Sequence, residues 1–169
     1  AERNSEDWGF SSGRQCSIIT TASLTDNSLH GYRSYFNGQM NKTPNQPLRF
    51  QPLLRNYIWG GQRLSTQMQK SPGSKEPLAE SWEIVDLGEH QSRLIGSPWA
   101  GMTLHELVTE HGESLLGVDS PQQSFPLLFK YLDCRLNLSI QVHPNDQRAA
   151  RLDPPGRGKT EAWVVLEAE

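Results

Sequence analysis

Apolar residues follow two rhythms along this chain, and one long stretch follows neither. From Leu48 onward, short apolar runs separated by turn residues read as strands. Ser81 to Val85 alternates as a strand does. Residues 125–132 and 136–143 are the strongest strand patterns, joined at Asp133-Cys134-Arg135. In the second of these, Leu136, Leu138, Ile140 and Val142 share one face, and Asn137, Ser139, Gln141 and His143 share the other. Glu161 to Leu166 reads as a further strand. Thr103 to Leu116 has the helical rhythm instead. Thr103 and Glu106 form a capping-box pattern, Leu104, Leu107 and Val108 make an apolar stripe, and Gly112 interrupts or ends the helix. A short helical turn is expected at Gln147 to Leu152. Many short strands with one helix predict a mainly β jelly roll with a helical insertion.

Residues 1–46 lack sustained apolar periodicity and are rich in Ser, Asn, Thr and Gly. Such a segment buries too little apolar surface to offset its ordering entropy, so it is expected to be a disordered polar extension. Met40 reads as a natural start, which would leave residues 1–39 outside the fold. Within them, Ser17 to Thr21 could make one edge strand. The chain stops at Glu169 during or just after a strand, so it is expected to be the N-terminal part of a longer protein, with its barrel incomplete.

With 169 residues the chain can form one domain with a real core, and its formal net charge of −3 carries no nucleic-acid or polybasic membrane signature. No apolar run approaches the roughly 20 residues of a membrane helix. Cys16 and Cys134 are isolated, which fits a reduced, cytoplasmic protein.

The candidate chemistry lies in the last third. If strand 136–143 paired with strand 161–166, Gln141, His143, Lys159 and Glu161 would converge. Imidazole, carboxylate and amide oxygen suit zinc and its first-row neighbours, and such a mixed set suits a catalytic site with an open position. An exposed polar strand face with an incidental histidine fits the same spacing, and the residues alone leave both open. Two other motifs fail. His105-Glu106 begins like H-E-x-x-H, but the next histidine, His111, comes six residues after the first, so both are expected on the helix surface. Gly158-Lys159-Thr160 ends like a phosphate-binding loop, but the required first glycine is Asp153 and a strand pattern follows.

The blocks FPLLFKYLD, LNLSIQVHPND and GKTEAWVVLEAE, preceded by PLRF, IWGG and AESW and by Gly101 through Gly117, resemble the type I mannose-6-phosphate isomerases from about Pro47 to Glu169. The resemblance implies a cupin-type barrel and a zinc-dependent isomerase. The reaction would interconvert mannose 6-phosphate and fructose 6-phosphate through an enediol(ate), supplying activated mannose. It implies Gln141, His143 and Glu161 as zinc ligands, with a second histidine ligand and an active-site arginine beyond Glu169. It implies Lys159 at the proton transfer or the sugar phosphate, and Lys130 in the cavity. Trp59 and Trp82 would line the cavity, and Arg157 is a further phosphate candidate. The implied partner is a small sugar phosphate, with neither nucleic acid nor membrane. Two alternatives share the scaffold: a non-catalytic metal- or carbohydrate-binding cupin, and an isomerase of another phosphorylated sugar.

Overall fold

The computed structural model describes residues 16–24, 47–70, 75–96 and 99–168. Its centre is a five-stranded sheet of antiparallel pairs. The strands are β1 (Cys16–Leu24), β3 (Leu53–Arg55), β4 (Glu80–Ile84), β8 (Leu127–Leu132) and β9 (Thr160–Ala168), in the order β3-β4-β8-β1-β9. Two ribbons flank it: β2 (Phe50–Gln51) with β7 (Arg93–Leu94), and β5 (Asp86–Leu87) with β6 (His90–Gln91). The strands expected at 81–85, 125–132 and 161–166 form as β4, β8 and β9.

The expected helix forms as α2 (Leu104–Leu116), after the one-turn α1 (Arg63–Thr66). Its capping box is complete: the Thr103 hydroxyl accepts from the Glu106 N–H at 3.1 Å, and the Thr103 N–H donates to the Glu106 carboxylate at 2.7 Å. Leu104, Leu107 and Val108 are buried with Leu94 and Trp99, and this cluster is the core between α2 and the β2–β7 ribbon. The helix does not end at Gly112; it kinks at His111 and continues to Leu116. The imidazole of His111 turns toward Trp99, 5.8 Å between ring centres, so only His105 is on the surface.

A smaller core joins Leu132 and Cys134 to Trp59 and Leu138. The backbone here is packed closely enough to need glycine. A Cβ on Gly60 would sit 2.7 Å from the Ala79 nitrogen, inside ordinary contact distance. Asp133, buried beside it, accepts from the Arg63 and Leu64 N–H groups at the start of α1. Burial pushes its carboxyl above the usual range, although those N–H donors and the Arg63 charge oppose the shift.

Two expectations change. Cys16–Leu24, inside the segment expected to lie outside the fold, forms a nine-residue strand between β8 and β9. It pairs with both: Thr21 is opposite Lys130 on one side and Trp163 on the other. Its two isoleucines and two threonines are strong strand formers, enough to claim a place in a sheet. The rest of 1–46 lies outside the described residues.

Residues 136–143 form no strand, although their alternation is the clearest in the chain. A strand needs a neighbour to satisfy its backbone groups. Both edges of β8 are taken, by β4 and β1, and β1 also holds the inner edge of β9. The chain leaves β8 and is drawn aside, where the Arg135 and Leu136 N–H groups both donate to the Trp59 carbonyl. Ile140 and Val142 are consequently 97% and 86% exposed. Among the described residues, the five-stranded sheet stays open between β3 and β9.

Candidate functional site

His143 and Glu161 do meet, but by a different route from strand pairing. After His143 the chain makes the one-turn helix α3 (Asp146–Ala149), capped by the Asn145 side chain accepting from the Arg148 N–H. This is the helical turn expected from Gln147 onward. The loop then closes on itself. The Gly156 N–H donates to the Ala149 carbonyl at 2.9 Å, the Gly158 N–H to the Asp146 carboxylate at 2.7 Å, and the Lys159 N–H to the Pro144 carbonyl at 3.3 Å. Gly158 must be glycine for this closure: a Cβ there would lie 2.6 Å from the Asp146 nitrogen. The closure brings Lys159 and the start of β9 back beside His143.

His143 Nε2 lies 2.5 Å from Glu161 Oε2, and Lys159 Nζ donates to the same oxygen at 3.1 Å. The Glu161 side chain is only 6% exposed. Burial alone would raise its carboxyl, but hydrogen bonds and charge from His143 and Lys159 outweigh burial and hold it below the usual carboxylate range. Glu161 is therefore an ionised carboxylate at neutral pH with two cationic or polar donors on one oxygen.

Gln141 does not join them. It is exposed on the unpaired stretch, and among the described residues it bonds neither His143 nor Glu161. The same physical cause applies: without a strand at 136–143, nothing aligns Gln141 with His143 on a common face. Among the described residues no three His, Cys, Asp or Glu side chains cluster for a metal.

Lys159 also belongs to a cavity of about 800 Å³, together with Lys130, Arg157, Trp82, Asp86 and His105. Lys130 and Trp82 are opposite each other on β8 and β4. Both hold the buried Glu80: Lys130 Nζ donates to one carboxylate oxygen at 3.0 Å and Trp82 Nε1 to the other at 2.5 Å. Lys130 thus points into the cavity with its charge balanced. Arg157 is exposed and, among the described residues, forms no ion pair. Trp59 is elsewhere. It stacks on Tyr57, ring centres 5.5 Å apart, and packs on the smaller core, so the wall carries Trp82 and not Trp59.

Sequence reasoning missed Asp86, Gln91 and His105 as cavity residues. Their signal is tertiary: the β5–β6 ribbon and the first turn of α2 come together only once α2 docks.

The fold and the site define a mainly β, cupin-type protein with a histidine–glutamate–lysine cluster beside a cationic cavity. Residues 48–157 match the family described as phosphomannose isomerase type I, catalytic domain. The mannose-6-phosphate isomerase ManA of Bacillus subtilis is 36% identical over 124 residues, covering 73% of this chain and 38% of that protein. The mannose-6-phosphate isomerase of Streptococcus mutans is 38% identical over 125 residues, with the same coverage of 73% and 38%. The crystal structure of the mannose 6-phosphate isomerase from Bacillus subtilis superposes with a TM-score of 0.58 at 36% identity, covering 66% of this chain and 35% of that one. The chain belongs to the type I phosphomannose isomerase family. It spans about 38% of the length of these curated relatives.

Proposed function

We propose that the protein carrying this chain is a zinc-dependent mannose-6-phosphate isomerase of the cytoplasm, acting through an enediol(ate). The observation that carries the reading is Lys159. It connects the cavity, where Lys130 and Arg157 offer cations to a phosphorylated sugar, to the Glu161–His143 pair. The two well-separated cysteines, Cys16 and Cys134, support cytoplasmic residence.

The donor chemistry of His143 and Glu161 fits zinc: an imidazole nitrogen beside a shielded, ionised carboxylate. They now share a hydrogen bond, so a cation would displace the proton between them. Gln141 would complete this part of the site by swinging onto the His143 side. When bound, zinc supplies Lewis-acid stabilisation of charge on the sugar oxygens.

The chain's own residues supply the rest. Among the described residues no ion pair occupies the charge of Arg157, and it anchors the phosphate away from the reacting carbons. Lys130 orients sugar oxygens through an ammonium already fixed by Glu80. Trp82 offers a flat apolar wall for the sugar's C–H face. Lys159 holds a proton within reach of the substrate. Donating it toward an oxygen that gains charge is the role its bond to Glu161 prepares. A role as base requires it first to give up the proton it directs at Glu161.

The test is a coupled assay of fructose 6-phosphate formation from mannose 6-phosphate by the protein containing this chain, with and without added zinc. Zinc-dependent turnover that is lost in Lys159→Met and His143→Ala supports the reading. Sugar-phosphate affinity without turnover would instead establish a non-catalytic binding cupin, the reading that the separation of Gln141 from His143 favours.

A further inference from the structure

One wall of the cavity holds a buried carboxylate and an imidazole that the proposed chemistry does not use. The Asp86 side chain is 2% exposed. A carboxylate is costly to bury unless its oxygens are partnered. Asp86 Oδ2 accepts from the Phe125 N–H at 2.8 Å, and Oδ1 accepts from the Gln91 amide at 2.7 Å. Those two neutral donors already satisfy it. The His105 ring is added: its Nδ1 lies 3.3 Å from Asp86 Oδ1, and the side chain remains 51% exposed.

The placement of His105 is fixed from several directions. It sits in the first turn of α2, whose start is held by the Thr103–Glu106 box. Its backbone N–H donates to the Gln91 side-chain oxygen at 3.3 Å, and the Gln91 amide donates in turn to Asp86 and to the Gly88 carbonyl. Gln91 therefore clamps the helix start to the carboxylate that faces the ring. Nδ1 faces the Asp86 carboxylate, and Nε2 is left without a protein partner among the described residues. The ring lines the same cavity as Lys130, Arg157 and Lys159. A histidine serving only the helix surface would need neither a buried carboxylate behind it nor a clamped backbone.

We propose that His105 is a ligand-contacting residue of this cavity, hydrogen-bonding a phosphorylated sugar through Nε2, and that Asp86 is its positioning residue. This rests on the reading of the cavity as the sugar-phosphate site. It adds to that reading a polar contact on the wall formed by α2 and the β5–β6 ribbon, away from the His143–Glu161 pair.

The experiment is a titration of the protein containing this chain followed by ¹⁵N–¹H spectra of its histidine rings. The probes are mannose 6-phosphate, inorganic phosphate and mannose. The expected result is a saturable shift of the His105 Nε2 signal with mannose 6-phosphate. A matching shift with phosphate identifies the phosphate as the contacted group, and one with mannose identifies a hydroxyl; either supports the inference. His105→Ala should weaken mannose 6-phosphate binding about tenfold, as for a lost hydrogen bond to a charged group, and His105→Gln should restore part of the loss. Asp86→Asn should change the His105 tautomer signature and weaken binding less than His105→Ala does. Saturable binding seen at Lys159 or Arg157, with the His105 signal still and His105→Ala binding as tightly as the parent, overturns the inference and leaves the cavity reading intact. Absence of mannose 6-phosphate binding at any cavity residue overturns both. Because His105 is half exposed at an N-terminal helix position, His105→Ala leaves the core untouched and remains informative should Asp86→Asn unfold.

Discussion

Replacing Gly158 with alanine separates the stability of this chain from the geometry of its site. The added Cβ would lie 2.6 Å from the Asp146 nitrogen, 2.8 Å from Asp146 Oδ1 and 2.9 Å from the Asn145 carbonyl carbon. Ordinary contacts of this kind lie at about 3.5–4.0 Å, so the two sides of the loop must part by roughly 0.6 Å or more. Most of the atoms met are backbone, so a side-chain rotation does not relieve the clash. The 2.7 Å bond from the Gly158 N–H to Asp146 and the 3.3 Å bond from the Lys159 N–H to Pro144 stretch past useful length. Both lie at the surface, where water replaces what is lost, so the global cost is about 1–2 kcal/mol. The local cost is larger in effect. Lys159 leaves His143, and the two groups no longer meet on Glu161. In urea unfolding, Gly158→Ala should therefore lose only that small amount of stability. The His143 ring signals should move, and on the zinc reading proposed above the affinity for added zinc should fall by at least about tenfold, as it does when a ligand's supporting contacts are lost. Unmoved His143 signals with parental zinc affinity would show that the loop closure does not position the pair.

Other outcomes follow from named contacts. Thr103→Ala removes the hydroxyl half of the α2 capping box and should cost about 1 kcal/mol in denaturant unfolding, with a loss of helical circular-dichroism amplitude no larger than the first turn accounts for. The Glu106 carboxyl is held below its usual range, first by the Thr103 N–H and then by the Thr103 hydroxyl. Its contribution is present above the unfolded value and is lost as pH falls through the folded one, so the stability gap between the parent and Thr103→Ala should narrow on acidification by the share of the hydroxyl–carboxylate bond. Asp133 has the opposite sign. Its carboxyl is raised by burial, so the native state holds a proton that the unfolded state releases. Its contribution is present below the unfolded value and lost as pH rises through the folded one, and the stability of the parent relative to Asp133→Asn should decline across that range. A rising difference in unfolding free energy would refute the assignment. Glu161→Gln should abolish the low carboxyl titration beside His143 and weaken zinc binding in a calorimetric titration, because a neutral amide replaces the charged donor.

Much of the local structure was legible in the residues. The Thr103–Glu106 box and the stripe of Leu104, Leu107 and Val108 announced α2, and both are realised. The strand patterns at β4, β8 and β9 hold as well. Lys130 reaches the cavity as expected, and His143, Lys159 and Glu161 come together. The failures share one cause. Residues 136–143 have the best alternation in the chain and form no strand, and Cys16–Leu24, in a segment read as polar extension, forms one. Strand patterns state which side chains share a face, not which edge will receive the backbone. Gln141 stands apart for the same reason, since its convergence with Glu161 rested on a strand pairing that β1 occupies, whereas Trp59, a cavity candidate by resemblance, packs on the smaller core.

What the residues determined alone is therefore the set of elements and caps whose energetics are local: an apolar stripe and a hydroxyl three residues before a carboxylate. Tertiary structure decided the order of strands, the placing of Cys16–Leu24 between β8 and β9, and the meeting of Asp86 with His105. Those outcomes depend on competition among distant segments for a limited number of hydrogen-bonding edges and buried faces. That competition is settled by the whole chain at once, because each backbone edge can be satisfied by one neighbour only.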